Sequence, residues 1–361
     1  MPVLVLDAMG GDHAPHALLE GATLALAEIT RPDFPCTLVL LGDEAIIRSH
    51  LKRRRFHPLT SAETEGRVRI IHAPQNIEME DSIRALRRKP DATINVGCKL
   101  AADSYDQRHT RPREIAAFVS AGHSGAAMAS ALLHMGRLPK IERPAIAIKL
   151  PTLSPDGCVL LDIGANVDCK PTHLRDFAIM GAHFAKVERK SAAPVRVGVL
   201  SNGEEEGKGT ELTRAAAALI AASPLFSHES LTMGEFLGYV EGKEIFKGKV
   251  DVVVTDGFTG NVVLKSLEGL GSAIVSMLQK EVKSSLLAPI GMLLSAGVLR
   301  KMKHKLDYAE YGAAPLLGVA GYAFICHGRS NPRAIRNALL RARTALQERF
   351  VERLEEALTQ S

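Results

Sequence analysis

The sequence runs to 361 residues, 46% of them hydrophobic and 24% charged, with a formal net charge of +5. That balance excludes a disordered or low-complexity chain and supplies apolar material for one α/β domain, taken here as residues 1–361. Few aromatics and no base-reading motif argue against a nucleic-acid partner, and five cysteines without CxxC or short Cys/His spacing point away from zinc and disulfides, toward a reducing cytoplasm.

In chain order, "VLVLDAMGGDHAP" (Val3 to Pro15) reads as a first strand running into a glycine turn, and it lacks the charged and long apolar regions of a signal peptide. Its turn presents Gly10, Gly11, Asp12 and His13. Two adjacent side chains on one turn seldom converge on a metal, so Asp12 and His13 are assigned to orienting the loop or a substrate. The basic runs at Leu51–Arg55 and Arg84–Lys89 fit solvated faces, an acidic protein partner or an anionic membrane surface.

The strand, glycine turn and helix pattern recurs four more times. "AAFVSAGHSGAAMASALL" (Ala116 to Leu133) offers Gly122, Ser124 and Gly125. "CVLLDIGANVDCKPTHL" (Cys158 to Leu174) offers Asn166, Asp168 and Lys170, the last preceding Pro171 and so sitting at a helix start. "RVGVLSNGEEEGKGTEL" (Arg196 to Leu212) offers Ser201 and Lys208, flanked by Gly207 and Gly209, although Glu204 to Glu206 would repel an anion unless they point outward. "VVVTDGFTGNVVLKSLEG" (Val252 to Gly269) offers Gly257, Thr259, Gly260 and Asn261, where Asn261 is either an amide donor to an oxyanion or a helix N-cap.

Alternating units of this kind build a mostly parallel, Rossmann-like sheet between helical layers, with ligands beyond the carboxyl ends of the strands. The five turns are expected to face one cavity, and their helix N-termini favour an anion, above all phosphate. No GxxxxGK[ST] is present and no GxGxxG falls in a strand-helix setting, so no nucleotide cofactor is indicated, nor is any other cofactor or metal. No GxSxG or Cys/His pairing supplies a covalent nucleophile, so in an acyl transfer the acceptor attacks directly.

After Asn261, Leu267, Leu270, Ile274, Met277 and Leu278 recur at helical spacing, predicting an amphipathic helix to about Lys283. The uncharged Ser284–Leu299 follows, interrupted by Pro289 and two glycines, then a basic run, Arg300 to Lys305. It is shorter than the ~20 residues that a spanning helix needs. Residues 266–310 are read as a protruding helical hairpin whose Leu286, Leu287, Ile290, Leu293, Leu294 and Val298 contact a membrane surface or an acyl chain; packing on the protein's own core or on a second subunit is the alternative. Asn331 and Pro332 cap a final helix with an apolar stripe of Ile335, Leu339, Leu346, Phe350 and Leu354.

Taken together, "LDAMGGDHAP", "SIRALRRKPDATI", "SAGHSGA", "RPAIA", "LLDIGANVDCKPTHL", "GEEEGKGTEL", "VDVVVTDGFTGNVVLKSLEG", "LDYAEYGAAPLLGV" and "HGRSNPRAIRNA" resemble the bacterial phosphate acyltransferases of phospholipid synthesis, the PlsX family, across nearly the whole chain. The resemblance implies a three-layer α/β/α sandwich akin to isopropylmalate dehydrogenase. It implies transfer of a long-chain fatty acyl group from acyl carrier protein to inorganic phosphate, giving acyl phosphate for a membrane glycerol-3-phosphate acyltransferase. It also implies a homodimer, cytoplasmic and peripheral to the inner face of the cell membrane, with Lys208 and Asn261 in the active site. The chain departs from the family pattern at His123 and Ser124, where the family usually reads SAGNTGA, at Ser201 and Asn202, and around Asp103 to Glu114. The readings set against this one are a CoA-dependent short-chain phosphate acyltransferase, a dehydrogenase of related fold, and a non-enzymatic scaffold for lipid enzymes at the membrane.

Overall fold

The computed structural model describes residues 1–111, 114–189, 193–205, 207–226, 233–284, 295–298 and 312–359. The elements run β1 (Val3–Asp7), α1 (His16–Ile29), β2 (Thr37–Gly42), α2 (Glu44–Leu51), α3 (His57–Thr64), β3 (Val68–His72), α4 (Ala85–Arg88) and α5 (Thr93–Asp106). Next come β4 (Ala116–Ser120), α6 (Ser124–Met135), β5 (Ala145–Leu150), β6 (Cys158–Leu161), α7 (Pro171–Glu188), β7 (Arg196–Ser201), α8 (Glu211–Ala221) and β8 (Glu235–Glu241). The chain continues through β9 (Val252–Val254), α9 (Gly257–Ser284), β10 (Ala313–Leu317), β11 (Tyr322–Cys326), α10 (Pro332–Gln347) and α11 (Phe350–Thr359).

The eleven strands of the described residues join one sheet, in the order β3-β2-β1-β4-β11-β10-β5-β6-β9-β7-β8. Alternation along the strands sends residues to layers on both faces, as a sheet covered on both sides requires. Leu4 and Leu6 of β1 face a core shared with α1, α7, α10 and α11, while Val5 faces α5 and α6. In β9, Val252 and Val254 join the first core, and Val253 packs toward Val263, Leu264 and Leu267 of α9. The expected mostly parallel α/β sandwich is present, and each of the five predicted strand-turn-helix units folds as one.

Strand direction corrects the expected single cavity. β1, β4 and β11 run parallel to one another, but β11–β10, β10–β5 and β5–β6 are each antiparallel, after which β6, β9, β7 and β8 are again mutually parallel. Three reversals between β11 and β6 leave the two parallel halves pointing opposite ways. The turns after β1 and β4 therefore leave one edge of the sheet, and those after β6, β9 and β7 leave the other. A doubly wound sheet would have put them all on one edge.

Two smaller expectations also change. The final apolar stripe is divided between α10 and α11, which are separated at Arg349 with φ 50°. α9 begins at Gly257 and runs to Ser284, close to the predicted end, and over Gly257–Val282 it is long and apolar enough to cross a membrane by length and composition. Beyond Gly260 no residue of that stretch is buried: Leu270 is 59% exposed and Met277 65%. Of the predicted hairpin contacts, Val298 is exposed, whereas Leu286, Leu287, Ile290, Leu293 and Leu294 lie outside the described residues.

Candidate active site

The β6, β9 and β7 edge gathers most of the predicted chemistry. β6 ends at Leu161 and the next residue, Asp162, is completely buried. Its Oδ1 accepts hydrogen bonds from the backbone N–H groups of Ile146 (3.0 Å), Gly164 (3.3 Å) and Ala165 (3.1 Å), and its Oδ2 from Asn166 N (2.7 Å) and Nδ2 (3.0 Å). Burial pushes the Asp162 carboxyl above the ordinary carboxylate range, and these donors pull it back toward the ionised form. One buried carboxylate thus sets the course of the loop carrying Asn166, Asp168 and Lys170. Asn166 Nδ2 also donates to Pro144 O at 2.8 Å, so both amide hydrogens are bound within the protein.

The β9 turn lies directly on this loop. Gly257 N donates to Asn166 O at 2.7 Å, and a Cβ added at Gly260 would fall 1.9 Å from Asp162 O, so any side chain there would prevent the contact. Asp256 caps α9: its Oδ1 accepts from Thr259 N at 2.8 Å and its Oδ2 from Thr259 Oγ1 at 2.8 Å. Thr259 is therefore committed to the cap, and Asn261 is not the N-cap. Asn261 projects from the second turn of α9 and is exposed, near Gly164, whose added Cβ would lie 3.8 Å from Asn261 Cγ.

β7 flanks β9, with Val199 beside Val254, which brings Ser201 level with Asp256. Asn202 Oδ1 accepts from Gly209 N at 2.9 Å and closes the base of the loop from Gly203 to Lys208. Lys208 is exposed; its N–H donates to Glu205 O at 2.9 Å and its stem lies against Gly203. Glu204 lies within electrostatic reach of Lys243, on the β8 side, and Glu206 is outside the described residues. Lys170 heads α7, its N–H donating to His173 Nδ1 at 3.1 Å; burial lowers the His173 pKa, and its Nε2 sits 3.2 Å from Glu142.

The remaining predicted residues, Gly10, Gly11, Asp12, His13, Gly122, Ser124 and Gly125, form a second group on the opposite edge. Asp12 N donates to Gly328 O at 2.9 Å, and Gly11, with φ 99°, could not carry a Cβ without meeting that same oxygen at 2.9 Å. Beneath it the fully buried Asp7 accepts from Ser120 Oγ (2.7 Å) and Met9 N (3.1 Å), and burial raises its pKa. His123 Nδ1 accepts from Ala126 N at 3.2 Å and caps α6, so the His at this departure from the family pattern supplies the acceptor that an Asn would. Among the described residues, no hydrogen bond or ion pair joins the two groups, and no three His, Cys, Asp or Glu side chains converge as metal ligands. A cavity of about 1120 Å³ beside Phe34, Arg108, Leu346 and Glu352 contains none of the candidate residues.

Sequence reasoning passed over Asp7 and Asp162. Both carry the same signal: an aspartate ending an apolar strand directly before a glycine turn, in "VLVLDAMGG" and "VLLDIGAN".

Residues 3–353 match the family described as fatty acid synthesis protein. The chain belongs to the PlsX family of phosphate acyltransferases. It is 46% identical to a phosphate acyltransferase of Myxococcus xanthus, over 93% of this chain and 88% of that protein. It is likewise 46% identical to one from Syntrophotalea carbinolica, over 98% and 92%. As a PlsX family member it is an enzyme. The EutD phosphotransacetylase from Staphylococcus aureus has the same fold, with a TM-score of 0.57 at 15% identity, covering 96% of this chain and 94% of that one. A branched-chain phosphotransacylase from Enterococcus faecalis V583 gives a TM-score of 0.51 at 13% identity, covering 98% and 99%.

Proposed function

We propose that this PlsX protein moves a long-chain acyl group from acyl carrier protein to inorganic phosphate, forming acyl phosphate for phospholipid synthesis. The supporting observation is the junction of the β6, β9 and β7 turns, where exposed Lys208, in the loop after β7, and exposed Asn261, in α9 after β9, follow neighbouring strands. The Lys208 ammonium holds the phosphate by charge, and the partial positive charge of the nearby helix starts adds to it. A phosphate oxygen then attacks the thioester carbonyl carbon and forms the new C–O bond; the C–S bond breaks, and the proton of hydrogen phosphate balances the departing thiolate. Asn261 Nδ2 donates to the carbonyl oxygen as it becomes an oxyanion. Phosphate is already ionised near neutrality, so positioning takes the place of a strong base.

The exposed apolar face of α9 supports a long acyl chain, a peripheral position on the inner face of the cytoplasmic membrane and pairing with a second copy of the chain. The acyl phosphate, a labile mixed anhydride, then passes to a membrane glycerol-3-phosphate acyltransferase. The experiment is phosphate-dependent thiol release from long-chain acyl carrier protein beside acetyl-CoA. Lys208→Ala and Asn261→Ala should each lower turnover by about 10²–10³ with unchanged thermal unfolding. Full turnover in both variants would remove the site assignment, and activity with acetyl-CoA alone would favour a short-chain enzyme.

A further inference from the structure

The segment from Arg137 to Pro144 is bound to the β6 loop and to α7 from several directions. Glu142 N donates to Asp176 Oδ2 at 3.0 Å, Glu142 Oε2 meets His173 Nε2 at 3.2 Å, and Pro144 O accepts from Asn166 Nδ2 at 2.8 Å. Its other end is anchored by Leu138 N donating to Gly318 O at 2.9 Å. The segment is thereby fixed beside the candidate site, and it carries Arg137, Lys140 and Arg143, all exposed.

Arg143 is within electrostatic reach of Cys169 and His173, and Lys170 of Glu142, so these cations form one surface with the site loop. Among the described residues, none of Arg137, Lys140, Arg143 and Lys170 has a carboxylate at ion-pair distance. The acidic groups nearby are otherwise engaged or few: Glu142 faces His173, Asp176 is buried against Arg175, and Asp168 is exposed. Val167 adds an apolar side chain, 61% exposed, next to Asn166. Uncompensated cations around an apolar contact are complementary to an acidic protein surface, and they raise the encounter rate with one.

We propose that Arg137, Lys140, Arg143 and Lys170, with Val167, form the docking surface for an acidic acyl-carrying protein. The proposal rests on the transferase reading, since a carrier must bring its thioester within reach of Asn261. The surface adjoins the start of α9, and the 28 residues of that helix put its far end about 42 Å away, which separates carrier docking from any bilayer held at the tip.

The test uses the full chain and labelled acyl carrier protein, with binding measured directly and turnover measured separately. The triple variant Arg137→Glu, Lys140→Glu, Arg143→Glu should bind the carrier at least about tenfold more weakly and flatten the salt dependence. Its KM for the carrier-borne donor should rise with kcat unchanged, and turnover of an acyl thioester of a small thiol should stay the same. Arg137 Nη1 bonds Glu142 O, so the double variant Lys140→Glu, Arg143→Glu, which removes no side-chain hydrogen bond, repeats the measurement if the triple folds poorly. Unaltered carrier affinity, an equal loss with both donors, or loss of binding to anionic vesicles with carrier affinity intact would each overturn the proposal. A wild-type protein that binds the carrier through these residues but releases no thiol with phosphate would sink the transferase reading and leave the docking surface standing.

Discussion

Gly260 lies against the carbonyl of Asp162, so close that a Cβ would stand 1.9 Å from the oxygen. This contact ties the β9 turn to the β6 loop, and the partner is backbone that no rotamer change can move aside. Gly260→Ala should cost several kcal/mol, about 2–5, and lower turnover as the loops separate. Gly269→Ala, farther along α9 with no atom within 4 Å of its added Cβ, should instead stabilise by roughly 0.5–1 kcal/mol. Urea unfolding of the two variants tests both signs.

Asp162→Asn keeps the shape but turns an N–H₂ toward donors. Whichever way the amide faces, it meets either the N–H groups of Ile146, Gly164 and Ala165 or those of Asn166. Leaving these buried donors unpaired should cost about 2–4 kcal/mol. Thermal unfolding should register the loss, and phosphate-dependent turnover should fall with it because the same loop carries Lys170.

His123 predicts a milder pair of results. Its Nδ1 accepts the first-turn N–H of Ala126, so His123→Ala should cost about 1 kcal/mol, while His123→Asn, whose side-chain oxygen can take the same bond, should stay within a few tenths. Equal unfolding midpoints for His123→Ala and the parent protein would remove the cap from consideration.

His183 predicts a pH dependence. Buried beside Phe350, its ring centroid 5.2 Å away, it has a pKa lowered by burial from 6.5 to about 4. Above pH 6.5 neither the folded nor the unfolded chain holds this proton, and the full stability is present. As pH falls from 6.5 toward 4, the unfolded chain takes up a proton that the folded one refuses, so stability declines, by about 2 kcal/mol at pH 5. The drop in urea-unfolding free energy from pH 7.5 to 5.0 should be smaller for His183→Leu than for the parent by that amount.

The five strand-turn-helix units were legible because apolar runs, glycines and helix periodicity are local signals. The same holds for Asn331, whose side chain caps α10 through Ala334 N at 2.9 Å, and for α9 ending within a residue of Lys283. Lys208, Asn261 and Lys170 were readable as exposed polar groups at such turns. For Asn166, by contrast, the partners that hold its amide hydrogens, Asp162 Oδ2 and Pro144 O, are set by the packing of the loop and not by its sequence.

The sequence by itself determined the five strand-turn-helix units, where their turns fall and which family the motifs match, since all of these depend on neighbours along the chain. The tertiary structure alone decided that the turns divide between two edges. That division needs all three antiparallel pairings, and the one between β10 and β5 joins segments more than 160 residues apart, whose direction no local pattern in "AAPLL" or "AIAIKL" encodes.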